Sequence, residues 1–405
     1  MKKTAAIILV LAMALSLCGC ADVYDPAEKA PVPKYSVCVD FSQFDEDNLL
    51  DEESGALIFT QSICAPVVLS AGSDRAADKI NLDLERQNAV LLERASAMKD
   101  TALSFADDDA RLDYSMYGDS IADGEVSPLT CVYRSNAVLT RGDTGVLSLS
   151  FDTFTYSSGA AHGYVARESL NYDAKTGEKL TLDGIAEDSD LLRQLAYGYL
   201  LNISKGEKYQ DNGASIFFEE DLTEALSALV ESEQWYLSDE GLVFYANPYE
   251  MAPYGYGRID FTVPYAAMEG LIMDKYVPVD YEGENGMMLA EAGDKLDRSN
   301  LKMLGTVTLD EDMQSVVISA EETVYSVSLV KIVDAGMYSY EENILWYRSY
   351  MTTDEAVELI CSIPDVQPNV ILRYTLADGT VIERGIFQSG EDGSIMLVEL
   401  QPAET

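Results

Sequence analysis

The chain has 405 residues, and 27 Lys and Arg against 70 Asp and Glu give it a formal charge of −43 at pH 7. This charge excludes a nucleic-acid binder, because affinity for a phosphate backbone comes mainly from clustered Lys and Arg. Hydrophobic residues make up 47% of the chain, which excludes disorder of the whole chain. At roughly 100 to 200 residues per domain, the length predicts two or three domains.

The first residues have the features of a bacterial lipoprotein signal. Two lysines precede an apolar run over 5–17, which is shorter than the about 20 residues that a membrane-spanning helix needs. The run ends in LCGC, which resembles the lipobox, whose last cysteine is lipidated and becomes the new N-terminus after cleavage. We therefore interpret 1–19 as a signal peptide, Cys20 as the lipidation site and 20–34 as a tether. The protein is expected outside the cytoplasm, anchored to the cell membrane by its N-terminal lipid.

The cysteines of the mature chain do not suggest a metal site. Cleavage before Cys20 leaves Cys38, Cys64, Cys131 and Cys361, and none of these belongs to a CxxC pair or lies beside the single histidine. No EF-hand loop, P-loop or GxGxxG motif occurs, so we expect no metal and no cofactor. Three disulfide pairings, or four free thiols, are all compatible with the sequence.

Hydropathy patterns in the main body predict an α+β fold, with antiparallel sheets and helices packed on one face. An acidic stretch over 45–53 is interpreted as a solvated loop. The other predicted elements, in chain order, are strands over 35–40 and 56–69, a long amphipathic helix over 74–105, a hairpin over 131–156, a strand over 166–172, helices over 190–204 and 219–232, a hairpin over 235–247 and an edge strand over 258–264.

The last quarter of the chain has a different pattern. Residues 282–300 are rich in Gly, Asp and Glu and are interpreted as a linker. Short strands after it predict a separate, small β-rich domain over 301–405, ending in a three-stranded meander. Within it, Thr352 and Glu355 have the spacing of a capping box, so a helix is predicted from Thr352 to about residue 362.

The candidate site is a group of tyrosines around the single histidine. His162 lies in a glycine-flanked turn after a predicted strand. Its imidazole either forms a binding or catalytic edge with Tyr156 and Tyr164 or bonds a backbone carbonyl as an ordinary turn residue. Tyrosine combines an apolar face with a hydroxyl, as interfaces and sugar sites require, although half-exposed sheets favour it too. The binding candidates are Tyr156, His162, Tyr164, Tyr249, Tyr254 and Tyr256, and no catalytic residue is assigned.

Two motifs resemble the RsiV-like extracellular domain family. The sequence GAAHG over 159–163, followed by LNYDAKTGEKLTL over 170–182, is similar to its first signature, with Ala160 where the family usually has Gly. The sequences YLSDEGLVFY and NPYEMAPYGYG, both within 236–257, are similar to its second hallmark.

The resemblance implies an RsiV-like α+β domain over 157–281 and, over 35–156, the smaller domain that precedes it in RsiV and in PdaC-type peptidoglycan deacetylases; the two share a sheet. In RsiV, an anti-sigma factor, this region binds lysozyme. The deacetylases use an additional metal-dependent domain, whose His-rich motif does not occur in this sequence.

We therefore expect a non-enzymatic, lipid-anchored surface protein that binds a cationic, lysozyme-like protein or a cell-wall glycan such as peptidoglycan. Its negative charge favours the cationic partner. A carbohydrate hydrolase that uses two carboxylates and a purely structural lipoprotein stay open as alternatives.

Overall fold

The structure is a computed structural model that describes residues 31–52, 55–107, 129–218, 222–281, 283–293, 296, 298–310, 313–336, 339–364, 368–390 and 392–400. The expected signal peptide and lipidation site at Cys20 lie outside these residues. Within the ranges above, no helix combines the length and the apolar character needed to cross a membrane. The fold is α+β, as predicted, and consists mostly of antiparallel strands with a few helices.

A five-stranded sheet and one long helix form the N-terminal part. The elements are β1 (Cys38–Asp40), β2 (Phe44–Leu50), β3 (Leu57–Cys64), β4 (Val67–Ser70), α1 (Asp74–Asp107), β5 (Cys131–Gly142), β6 (Val146–Tyr156) and β7 (Tyr164–Asp173). The sheet order is β2-β3-β5-β6-β7, with only the β3–β5 pair parallel among these neighbours. Buried residues of α1 such as Ile80 and Leu91 pack on one face of the sheet. The predicted long helix and hairpin are both confirmed.

The solvated loop predicted for the acidic stretch is wrong over most of its length, because Phe44–Leu50 is strand β2 and pairs antiparallel with β3. Helix α1 supplies polar partners that make this possible. The Asn88 side-chain amide donates to Asp45 at 3.0 Å, and the Lys99 ammonium donates to Asp47 at 2.6 Å. Partners from an element distant in sequence therefore stabilise carboxylates in a strand.

A second layer packs helices on a three-stranded sheet. Its elements are α2 (Leu182–Ile185), α3 (Ser189–Ile203), the short hairpin β8 (Gln210–Asp211) and β9 (Ala214–Ser215), α4 (Leu222–Glu231), β10 (Trp235–Leu237), β11 (Gly241–Ala246) and β12 (Ile259–Pro264). The Asp188 carboxylate caps α3 by accepting from the Leu191 amide. Leu192 and Leu226 of the helices meet Phe244 and Phe261 of the sheet in one core.

Side chains of β7 join the two layers. Ser169 donates to the Trp235 carbonyl of β10 at 2.6 Å, and the Asn171 oxygen accepts from the Leu237 amide at 3.2 Å. Backbone groups on the unpaired edge of the buried strand β10 thereby find partners in the neighbouring sheet.

The C-terminal part contains two sheets around one core. Its elements are β13 (Met288–Ala292), β14 (Lys302–Thr308), β15 (Gln314–Ala320), β16 (Val324–Gly336), β17 (Ser339–Met351), β18 (Glu355–Cys361), β19 (Val370–Thr375), β20 (Val381–Gln388) and β21 (Ile395–Glu399). The strand orders are β13-β15-β18-β14 and β21-β20-β19-β16-β17-β1-β4. The first strand of the chain therefore lies beside β17 in the seven-stranded sheet. The predicted meander, β19 to β21, is confirmed.

Two sequence interpretations in this part are wrong. The stretch 282–300 contains strand β13, so it is not simply a linker. The helix predicted from Thr352 is strand β18, paired with β14 and β15. The Thr352 amide does donate to Glu355, at 3.3 Å, as a capping box requires. The same carboxylate accepts from Arg348 of β17 at 2.6 Å, however, and this long-range ion pair accompanies the strand.

The four cysteines within the described ranges are buried free thiols. Burial raises the pKa of Cys38 and of Cys64 to about 12. Thiols with such pKa values are poor nucleophiles and poor metal ligands at neutral pH.

Candidate functional site

The turn between β6 and β7 presents His162 at the surface. Gly159 has a φ of +73°, a left-handed conformation that glycine adopts without a steric penalty. A Cβ at Gly163 would lie 2.3 Å from the Phe154 ring, so the chain passes too close to that ring for a larger residue. The Tyr156 hydroxyl donates to the Ala160 carbonyl at 3.2 Å. These local contacts define the turn that carries the histidine.

Three partners hold the imidazole of His162. Its Nδ1 lies 2.8 Å from the Gly163 carbonyl, so we assign the proton of the neutral ring to Nδ1. Its Nε2 lies 3.1 Å from the Tyr249 hydroxyl, which then donates to it. The ring also stacks on Tyr254, with 3.9 Å between centroids and 19° between planes. His162 thus bonds a backbone carbonyl, as one of the two interpretations expected, and its ring contacts are with Tyr249 and Tyr254 instead of Tyr156 and Tyr164.

The loop that carries Tyr249 is fixed to β7. The Asn247 side-chain oxygen accepts from the Arg167 amide at 2.8 Å, and the Glu250 carboxylate accepts from the Asn247 amide at 2.7 Å. Tyr249 has a φ of +71°, which is unfavourable for a residue with a Cβ. Backbone strain of this kind persists only where surrounding contacts impose it, and it is concentrated at functional sites.

The structure brings some of the predicted site residues together and separates others. His162, Tyr249 and Tyr254 contact one another and are called the His162 cluster below. Tyr156 belongs to the same turn as His162. Tyr256 lies beside Tyr254 in a short 3-10 helix, and its hydroxyl donates to Asp211 at 2.9 Å. Tyr164 instead lines a groove next to α1.

A charged network lies close to the cluster and was missed by the sequence analysis. Asp152 and Arg167 are directly opposite in the β6–β7 pair, and the guanidinium donates to the carboxylate at 2.6 Å. Arg258 bridges Asp152 at 3.2 Å and Asp260 at 3.0 Å. Burial lowers the pKa of Arg167, but Asp152 outweighs this effect and raises it overall. The only sign of this network in the sequence was the presence of opposite charges on neighbouring predicted strands. Pairing them would have required the register between those strands.

The two chain segments that form the cluster contribute no positively charged Lys or Arg side chain. Residues 143–166 and 234–257 contain no Lys or Arg. The nearby guanidinium groups of Arg167 and Arg258 are neutralised by Asp152 and Asp260. In the part of the chain that the structure describes, no three His, Cys, Asp or Glu residues are grouped as a metal site would require.

Two exposed tyrosines, one in the cluster and one beside it, suit binding. Tyr249 is 52% exposed and Tyr256 is 40% exposed. Tyrosines of this kind offer a rigid apolar face and a hydroxyl, and they are enriched at the energetically important positions of protein interfaces.

Solved structures that are similar to this chain include two members of the DUF3298 family. A member of the DUF3298 family from Bacteroides fragilis NCTC 9343 is 17% identical, with a TM-score of 0.38, over 57% of this chain and 94% of that chain. A DUF3298 family protein from Pseudomonas aeruginosa PAO1 is 14% identical, with a TM-score of 0.35, over 62% of this chain and 98% of that chain. No curated protein matches the chain. Residues 185–266, from the end of α2 to just beyond β12, match a family model described as "Protein of unknown function (DUF3298)".

Proposed function

We propose that this protein is a non-enzymatic binding protein of the cell surface, anchored by a lipid on Cys20, which captures a cationic, lysozyme-like protein through the His162 cluster. The observation that carries the proposal is the mutually contacting set of His162, Tyr249 and Tyr254, in which His162 and Tyr249 are exposed and Tyr254 is partly buried. The anchor rests on the LCGC ending of the apolar N-terminal run.

The cluster is organised before any partner arrives. The imidazole is bonded at both nitrogens and stacked on one face, and the Tyr249 loop is bonded to β7 through Asn247. Binding through pre-ordered side chains costs less conformational entropy than binding through mobile ones. A surface of this kind therefore favours recognition of a folded partner.

Charge supports a cationic partner. The whole chain carries −43, and the two segments that form the cluster contribute acidic residues but no Lys or Arg. Opposite charges steer two proteins together and raise the association rate, and salt screens this effect over about 10 Å at 0.1 M. Affinity for such a partner should therefore fall as salt increases.

The class of partner rests on the resemblance of the sequence motifs and not on the family match. The DUF3298 match over 185–266 includes Tyr249 and Tyr254 and carries no function. The resemblance of the same region to the lysozyme-binding domain of RsiV suggests the class of partner.

The test is retention of a lysozyme by the mature chain coupled to beads, at low and at moderate salt. We expect retention at low salt, weaker retention at moderate salt, and loss of retention in the double variant His162→Ala, Tyr254→Ala. Leu82→Ala is the matched control, because Leu82 is 49% exposed on α1, outside the cluster. Absence of retention at low salt, or equal retention by the double variant, would overturn the proposal.

Two other outcomes would replace it. Retention of peptidoglycan but not of lysozyme by the same beads would identify a glycan as the partner. Turnover of peptidoglycan fragments that disappears in a single Asp or Glu variant would favour a carboxylate-dependent hydrolase.

A further inference from the structure

A groove runs between helix α1 and the exposed end of the five-stranded sheet. The first six residues of β6 are fully buried, whereas its last five are only partly buried, so among the described residues this end of β6 is the more exposed one. The cavity there has a volume of about 260 Å³. We call it the Tyr164 groove, after a lining that includes Arg94, Tyr133, Thr153, Thr155, Tyr164 and Glu168.

The floor of the groove is a cross-strand row. Tyr133, Thr155 and Tyr164 are opposite one another on β5, β6 and β7, so their side chains share one face of the sheet. Thr153 lies on the same face two residues before Thr155, and its hydroxyl is 3.0 Å from that of Ser135. The floor therefore places hydroxyl groups between two tyrosine rings. One of these rings, Tyr164, is 38% exposed.

The wall of the groove is polar but carries no net charge. The Arg94 guanidinium lies 2.8 Å from Glu168, and the Gln87 amide donates to the second oxygen of the same carboxylate at 2.7 Å. The side chains of Arg94 and Glu168 are 48% and 42% exposed, so both keep bonding capacity for a ligand. A balanced pair of this kind offers strong donors and acceptors without selecting for an ion.

A buried hydroxyl lies beneath this wall. Tyr133 is 2% exposed, and its hydroxyl makes no hydrogen bond to any of the described residues. Burial raises the pKa of Tyr133, and the adjacent Arg94 partly opposes this. Buried hydroxyl groups nearly always have a partner. The half-exposed Arg94 guanidinium lies beside this hydroxyl.

We propose that the Tyr164 groove binds one neutral pyranose ring, such as a hexose or an N-acetylhexosamine. The apolar face of the sugar packs on Tyr164, and its hydroxyl groups bond Thr153, Thr155 and the Arg94–Glu168 pair. The volume of the cavity is slightly smaller than the range of about 300 to 1,000 Å³ that is usual for small-molecule sites. A cavity of this size fits one sugar ring better than an oligosaccharide. The site is separate from the His162 cluster and does not depend on the function proposed for it.

Saturation-transfer NMR on the mature chain, with N-acetylglucosamine and glucose as probes, tests this inference. We expect saturation of at least one sugar with roughly millimolar affinity, and about tenfold weaker binding by Tyr164→Ala, which removes the stacking face. Thr155→Val keeps the shape of the floor and removes one hydroxyl, so it should weaken binding as well.

Phe44→Ala is the control, because Phe44 also begins an edge strand of this sheet and is 36% exposed. It should bind as the wild type does. Absence of saturation with both sugars would overturn the inference, and so would equal binding by wild type and Tyr164→Ala. Stronger saturation of glucuronate or glucosamine than of the neutral sugars would show that the groove selects a charge instead. Lysozyme is absent from this measurement, so its result is independent of the capture experiment.

Discussion

Strands β6 and β7 are buried at one end and partly exposed at the other. Where β6 begins, at Val146, the sheet is fully buried and is closed by charged and hydrogen-bonded groups from later parts of the chain. Where it ends, at Tyr156, the side chains are partly exposed and contact mainly a turn and a loop. One end of the sheet thus contacts distant parts of the chain and stabilises the fold. The other end leaves side chains exposed to solvent.

Arg141 is the centre of the buried end. It is 2% exposed; its guanidinium contacts Asp143 at 2.6 Å and donates to the Tyr265 hydroxyl and the Tyr276 carbonyl, both at 2.6 Å. The neighbouring Gly142 carbonyl accepts from the Tyr347 hydroxyl of β17. Parts of the chain more than a hundred residues apart therefore meet here. At the exposed end, the His162 cluster involves only β6–β7 and the loop after β11.

The largest expected effect is at the buried end. Arg141→Met should lower the free energy of unfolding by about 3–5 kcal/mol, because it leaves Asp143 and the Tyr276 carbonyl without their partner. Urea denaturation measures this change. Arg86→Met, on an exposed Arg that pairs with Asp83 on α1, is the control and should change it by less than about 0.5 kcal/mol. Similar changes in the free energy of unfolding for both variants would contradict the view that the buried end stabilises the fold.

A smaller, pH-dependent effect is expected at Asp173, also at the buried end. Its carboxylate accepts from the Thr176 amide at 2.9 Å and from the Tyr276 hydroxyl at 3.2 Å. Burial opposes ionisation, but the hydrogen bonds from Thr176 and the ion pair with Lys275 together lower the pKa of Asp173. The stability that the ionised carboxylate contributes is therefore complete above the ordinary Asp pKa of about 3.9 and is lost as pH falls through the lower folded value.

Asp173→Asn should accordingly destabilise the protein by about 1–2 kcal/mol at neutral pH. The difference from wild type should shrink as pH falls below about 3.9. Chemical denaturation at several pH values gives this difference directly. Asp183→Asn, at a carboxylate that is 66% exposed, serves as the control. A difference for Asp173→Asn that stays constant with pH would contradict the assignment.

The smallest effect on stability belongs to the exposed end. Tyr254→Ala removes one stacked ring from His162 and should lower the free energy of unfolding by only about 0.5–1 kcal/mol. The same denaturation measurement applies. A decrease in the free energy of unfolding as large as that of Arg141→Met would show that the His162 cluster is part of the structural core and not an exposed surface group.

Elements with strong local patterns were predictable from the sequence. The helix Asp74–Asp107 and the β5–β6 hairpin depend on periodicity that each segment contains within itself. Strand β18 was misassigned, because its capping contact exists locally whereas the Arg348–Glu355 pair that accompanies the strand comes from β17. Strand β2 was missed for the same kind of reason, since its carboxylates are bonded by α1.

The site was predictable to a similar degree. His162, Tyr249 and Tyr254 were selected from motifs and do contact one another. Tyr164 was selected with them but lines the groove beside α1, because the strand that begins at Tyr164 turns its side chain toward that helix. The Asp152–Arg258 bridge joins residues far apart in the chain and could not be inferred without the sheet register.

The length of β6 sets the distance between the buried end of the sheet and the turn that carries His162. At about 3.3 Å per residue, the ten steps from Val146 to Tyr156 separate the two ends of the strand by about 33 Å. The chain leaves the expected tether at the Val146 end, where the Tyr35 hydroxyl donates to the Thr144 carbonyl at 2.5 Å. The histidine-bearing turn therefore lies a full strand length away from the point where residues 31–35 join the fold.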